Sequence, residues 1–146
     1  MNKIFNTVFE ISMRLLLMLS VDENASRTLD NLMIADFITN YAQTFGIADS
    51  NLHGDNTFRF AELAARRKMV REAIKSLILD NLVMVSQGKD GFYYAISDRG
   101  KIFCQSLTSD YAKEYRLFAL RANEFMKSKT ETELLTLISR KAAGAP

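Results

Sequence analysis

The chain has 146 residues, 48% of them hydrophobic, and a formal net charge of +2. That is enough apolar material for one domain with its own core, and too little charge for a polycation, so any nucleic-acid contact has to come from a local patch. The single cysteine, Cys104, excludes an internal disulfide and a cysteine-rich zinc site, and with seven methionines it points to a reducing, cytoplasmic setting.

Near the N-terminus, "ISMRLLLMLSV" is apolar, but Arg14 interrupts it and Glu10 precedes it. The unbroken run Leu15–Leu19 is too short for a signal core or a membrane span. Ile4, Val8, Ile11, Leu15 and Met18 recur every three to four residues, which predicts an amphipathic helix over roughly Thr7–Leu19. After the polar connection "SVDENASR", a second helix is expected over Leu29–Phe45, stopped at Gly46. It is apolar almost all round, as a central buried helix is. Asp36 shares a side with Leu29, Leu32 and Met33, and a buried acid needs a partner.

A polar loop over Gly46–Thr57 leads to a third helix over Ala61–Asp80, with Leu63, Val70, Ile74 and Leu77 on one stripe. "LVMVS" and "FYYAIS" read as two strands around a turn, where Gly88 and Gly91 can take positive φ. Asp98 is expected to cap a short helix. A longer helix follows with Tyr111, Tyr115, Phe118, Ala122 and Phe125 spaced 4-3-4-3, and a last one over Glu131–Lys141 opens with the capping box Thr130/Glu133. Proline occurs only at position 146, and no linker or repeat divides the chain. The expected organisation is residues 1–129 as the main domain, including the long helix after the hairpin, and 130–146 as a C-terminal helix with a frayed tail. The element order gives the fold class: mainly α (α+β), a winged helix-turn-helix-like domain with a two-stranded wing and extra C-terminal helices. Such a fold does not by itself supply a function.

Advancing about 100° per residue along the third helix divides its basic residues. Lys68, Arg71 and Lys75 fall together with Ala64 opposite the apolar stripe. They form a solvated face, a contact for an acidic protein surface, or a contact for phosphates. Arg66 and Arg67 fall on either flank of the stripe, where their stems can lie on apolar surface and their heads can reach buried acids. Asp36, Glu10 and Glu62 are the candidate partners, Glu62 lying four residues ahead of Arg66.

His53 is the only histidine. Ser50, Asp49 and Asp55 are close in sequence, which is not a triad geometry, and no second histidine or thiol lies at metal-ligand spacing. A loop histidine bonded to backbone or carboxylate is the reading for His53. There is no Gly-rich phosphate loop, no G-x-S-x-G and no H-E-x-x-H, so the chain lacks the parts of an ATPase, hydrolase or zinc protease. No enzyme activity, cofactor, metal or small-molecule substrate is expected. The aromatic row Tyr111, Tyr115, Phe118 and Phe125 either packs onto the domain or forms a seam for a partner helix.

Several stretches together resemble one family. "FNTVFEISMRLLLML" is similar to its opening pattern through Asn6, Glu10, Arg14, Leu16 and Leu19. "LDNLMIADFITNYAQTFG" matches its second segment through Leu29, Asp30, Asp36 and Phe37. "SNLHGDNTFRFAELAARRKMVREAIKSLI" resembles its longest motif, with Asn51 inserted and Gly54 in place of a proline, and "FYYAISDRGKIF", "LTSDYA" and "RANEF" follow in order. The family is the middle component of ABC-three-component systems, the Lamassu-type bacterial defence modules. The resemblance implies a non-enzymatic, cytoplasmic bacterial adaptor that bridges an SMC-like or Rad50-like ABC ATPase and an effector, often a nuclease, with DNA reached through the complex and no membrane. The rival is a winged-helix transcriptional regulator that reads DNA. The residues expected to meet a partner or DNA are Lys68, Arg71 and Lys75. The structural ion-pair candidates are Glu10, Arg14, Asp36, His53, Glu62, Arg66 and Arg67.

Overall fold

A computed structural model describes residues 7–52 and 60–144 of the chain. Its elements are α1 (Val8–Ser20), α2 (Leu29–Asn40), α3 (Phe60–Leu79), β1 (Val83–Gly88), β2 (Gly91–Ile96), α4 (Asp98–Gln105), α5 (Asp110–Met126) and α6 (Glu131–Ala142). The described residues are mainly helical with one two-stranded antiparallel sheet. No described helix is long and apolar enough to cross a membrane.

Hydroxyl caps set the helix starts. Thr7, Thr28, Ser97, Ser109 and Thr130 sit in extended backbone and accept an amide from the first turn of α1, α2, α4, α5 and α6. At α4 the cap is Ser97, whose Oγ accepts the Gly100 N–H at 2.9 Å, and not Asp98 as the sequence suggested. Asp98 is instead the first helical residue, where its charge faces the positive end of the helix dipole. The capping box at Thr130 and Glu133 is formed at α6.

α2 also ends earlier than its pattern predicts, at Asn40 instead of Phe45. The chain turns back over residues 41–46, where the Ile47 N–H reaches the Ala42 carbonyl at 2.9 Å and the Leu52 N–H reaches that of Asn40 at 3.3 Å. These bonds satisfy terminal carbonyls that a longer helix would have used internally. Gly46, at φ 71, completes the turn.

Every residue from Leu32 to Tyr41 is buried, so α2 forms the axis of the core. α1 packs against α3, α5 and α4, while α5 and α6 lie on α2. Leu134 and Ile138 of α6 join the same core as Leu15, Leu32 and Ile74. The segment after residue 129 therefore shares its packing with α2 and α3.

The strands pair from Val83↔Ile96 to Gly88↔Gly91 around Lys89 and Asp90. Gly91, at φ 125, is the glycine of the turn that needs positive φ, whereas Gly88 does not. Arg27, in the α1–α2 connection, adds one antiparallel rung to β2 by exchanging both backbone bonds with Tyr94 at 2.9 and 2.8 Å. The hairpin is thus tied to the start of α2 as well as to the end of α3.

α3 closes on Asn81, at φ 61, with the Leu82 N–H returning to the Leu77 carbonyl at 2.9 Å. This left-handed residue redirects the chain into β1. Asn81→Ala is expected to cost about 1 kcal/mol in urea denaturation, while Asn81→Gly leaves stability unchanged or slightly higher.

Candidate functional site

Beneath the surface of α3 lies a charged node built on α2. Asp36 is 2% exposed and Arg14 of α1 is 1% exposed. The guanidinium donates from Nε to Oδ1 at 2.9 Å and from Nη2 to Oδ2 at 3.1 Å, a two-point pairing. The Tyr115 hydroxyl of α5 donates to Oδ1 at 2.6 Å, and Asn40 Nδ2 donates to Oδ2 at 3.3 Å. Arg66 of α3 places Nη1 3.7 Å from Oδ2, within ion-pair range. One carboxylate therefore receives groups from α1, α3, α5 and its own helix.

The node continues outward. Arg66 also lies 3.7 Å from Glu62 and over the Phe37 ring at 5.5 Å, and Glu62 accepts the Tyr41 hydroxyl at 2.7 Å. Two arginines and two acids balance formally. Burial alone pushes the Asp36 carboxyl up, but the Arg14 guanidinium, Arg66 and the Tyr115 hydroxyl outweigh it and hold it below the usual carboxylate value. Burial lowers the Arg14 affinity for its proton, but the Asp36 charge more than compensates and raises it. Burial raises Tyr115 well above the phenol range, helped by the adjacent Asp36 charge. It also brings Tyr111 up to about 12, with Arg14 acting in the opposite direction.

Arg67 takes a different partner from those its position suggested. It is half-exposed and pairs with Asp30 in the first turn of α2. Glu10 forms no ion pair among the described residues. His53 lies outside the described residues.

Lys68, Arg71 and Lys75 are exposed on α3 and form no ion pair among the described residues. Leu79 continues their side of the helix and is 81% exposed. On the hairpin side, Arg71 borders a groove of about 530 Å³ whose lining includes Asp30, Asp90, Phe92 and Tyr94. Phe92, Val85 and Met84 present further apolar surface on the hairpin. The aromatic row of α5 turns inward, with Tyr115 and Phe118 buried and Tyr111 and Phe125 half-buried, which leaves Leu117 and Leu120 exposed.

Sequence reasoning missed Arg116. From α5 it donates to the carbonyls of Leu107, at 2.9 Å, and Cys104, closing the C-terminal end of α4. Cys104 is buried, its thiol lies 3.7 Å from the Leu16 carbonyl, and burial raises its pKa. No group of three or more His, Cys, Asp or Glu side chains stands in a metal-binding arrangement among the described residues.

This arrangement is a body cross-braced from inside, with cations and apolar side chains left on the third helix and hairpin. No curated protein and no solved structure matches the chain. The model of the family described as ABC-three component (ABC-3C) system Middle Component 2 matches residues 4–145, and the chain belongs to that family.

Proposed function

We propose that the chain is a non-enzymatic, winged-helix adaptor of a Lamassu-type defence complex, bridging an SMC-like ABC ATPase and an effector, with a nuclease as the leading effector class. Membership of a middle-component family supplies the partner components. The observation that carries the reading is the division of labour among the basic residues of α3. Arg66 and Arg67 are spent on acids of the body, while Lys68, Arg71 and Lys75 have no ion pair among the described residues and lie beside exposed Leu79. A row of cations that ends in an exposed apolar side chain suits a protein interface in which charge steers and apolar contact holds.

The test is co-expression of the three components with the chain carrying Lys68→Glu, Arg71→Glu and Lys75→Glu. The fold is expected to stay within about 1 kcal/mol of wild type, because the three positions are exposed. Recovery of the ATPase with the chain is expected to be lost, since like charges set face to face cost several kcal/mol. Undiminished recovery would remove this face from the interface. A wild-type chain that joins neither component sinks the adaptor reading.

The same cations on the helix that precedes the hairpin also support a second reading, direct DNA binding by the isolated chain. That reading requires affinity falling with salt at a log–log slope of about −3 for three phosphate contacts.

A further inference from the structure

A second groove, of about 450 Å³, lies between the α1–α2 connection and the end of α5. Arg27 lines it. Its backbone is fixed to Tyr94, and its Nε donates to Asn31 Oδ1 at 2.6 Å. Its guanidinium forms no ion pair among the described residues, and its Nη nitrogens make no hydrogen bond there. Burial lowers its pKa, with Tyr115 and Asp22 only partly opposing that. Asn123 lines the same groove, and its Nδ2 is a buried donor with no partner among the described residues. The groove thus holds a half-buried guanidinium whose Nη nitrogens make no hydrogen bond among the described residues, beside a buried amide donor that has no acceptor there and costs stability unless something meets it.

We propose that this groove is a carboxylate-recognition subsite, in which Arg27 and Asn123 receive the side chain of an Asp or Glu in an extended segment of a partner protein. The proposal rests on the reading of the chain as a partner-binding subunit. Charge complementarity selects a monoanion. The other cations of the groove are already engaged: Lys127 bonds Glu124 at 2.8 Å, and Lys129 donates to the Phe125 carbonyl while lying 4.2 Å from that ring. The acids Asp22 and Glu131 also line it, which disfavours a phosphate dianion or a nucleic-acid backbone. One open guanidinium edge matches one carboxylate.

The test is a titration of the full ¹⁵N-labelled chain, followed at the Arg27 Nε–H and Asn123 side-chain amide signals. The ligands are acetyl-Ala-Glu-Ala-amide, its Gln counterpart and inorganic phosphate. The Glu peptide is expected to give saturable shifts at both signals in the millimolar range, with the Gln peptide about tenfold weaker. Asn123→Asp, which sets a competing carboxylate in the groove, removes the Asn123 amide signal and is expected to abolish the response at the Arg27 Nε–H while the chain stays folded. Equal response to the Glu and Gln peptides, tighter binding of phosphate, or shifts that persist in Asn123→Asp would each overturn the proposal. In the co-expressed complex, Asn123→Asp is expected to reduce partner recovery. Full recovery with this variant overturns the partner's use of the groove while the adaptor reading stands. No recovery even with wild type defeats the adaptor reading instead.

Discussion

Replacing Asp36 by asparagine is expected to destabilise the fold by about 3–5 kcal/mol, because it leaves the Arg14 charge buried without its counter-charge. For a chain of this size the melting temperature is expected to fall on the order of 10 °C. The shape of the side chain is nearly kept, so the loss isolates charge from packing. Arg14→Met leaves Asp36 with Tyr115, Asn40 and the more distant Arg66, and is expected to cost a similar amount. Arg14→Met combined with Asp36→Leu removes both charges and is expected to cost less than the sum of the single changes. Recovery is incomplete, because the Tyr115 hydroxyl and the Asn40 Nδ2 then lose their acceptor and Arg66 loses a neighbouring charge. Strict additivity in urea denaturation would show that the two residues do not act as a pair.

The same node fixes the direction of one component of the acid response. Asp36 has a lowered pKa when folded, so between its folded and unfolded values the unfolded chain binds more protons. Its contribution is complete above about pH 4 and is lost as pH falls through the folded value. Asp36→Asn removes that component. Wild-type stability should therefore fall more steeply than that of the variant on acidification below about pH 4, by up to one proton, or about 1.4 kcal/mol per pH unit. Parallel profiles would mean that Asp36 does not titrate differently in the folded chain.

Much of this node could be read from the sequence, because periodicity carries burial. Asp36 fell on the apolar side of a helix with little polar surface, and Arg66 fell on the flank of the α3 stripe, four residues from Glu62. The order of helices and hairpin followed from the same patterns and from Gly91. Periodicity does not encode which distant elements meet. Arg67 finds Asp30 across 37 positions, and Arg116 finds the carbonyls of Cys104, on α4, and of Leu107, just past its end, only after the helices have docked. Tyr115 was legible as part of an aromatic row that either packs inward or forms a partner seam, but not as a donor to Asp36. The early end of α2 depended on backbone bonds from Ile47 and Leu52, which a helical pattern running on to Phe45 conceals. The Arg27 groove left no mark in any single stretch, because its walls come from the α1–α2 connection, the hairpin and the far end of α5.

Gly100→Ala is expected to cost about 3 kcal/mol, although alanine is the better helix former by up to about 1 kcal/mol. Gly100 lies in the first turn of α4 and is buried against the entrance to β1. A Cβ there would stand 2.2 Å from the Leu82 carbonyl oxygen and 2.8 Å from Ile96 Cγ1. The carbonyl cannot rotate away, because it accepts the Ser97 N–H at 3.1 Å and belongs to the backbone that turns α3 into β1. Relief requires α4 and the hairpin to move apart, at the expense of the Val83 and Ile96 packing. Gly88→Ala supplies the control. Its Cβ would approach as closely, 2.3 Å from the Tyr93 ring, but that ring is a half-buried side chain on a hairpin and can swing aside. It is expected to cost less than about 1 kcal/mol. Thermal denaturation of the two variants therefore separates the closeness of a clash from the freedom of the atom it meets. Equal losses would show that Tyr93 is held as firmly as the Leu82 backbone, and the hairpin would then be a rigid extension of the body out to its turn.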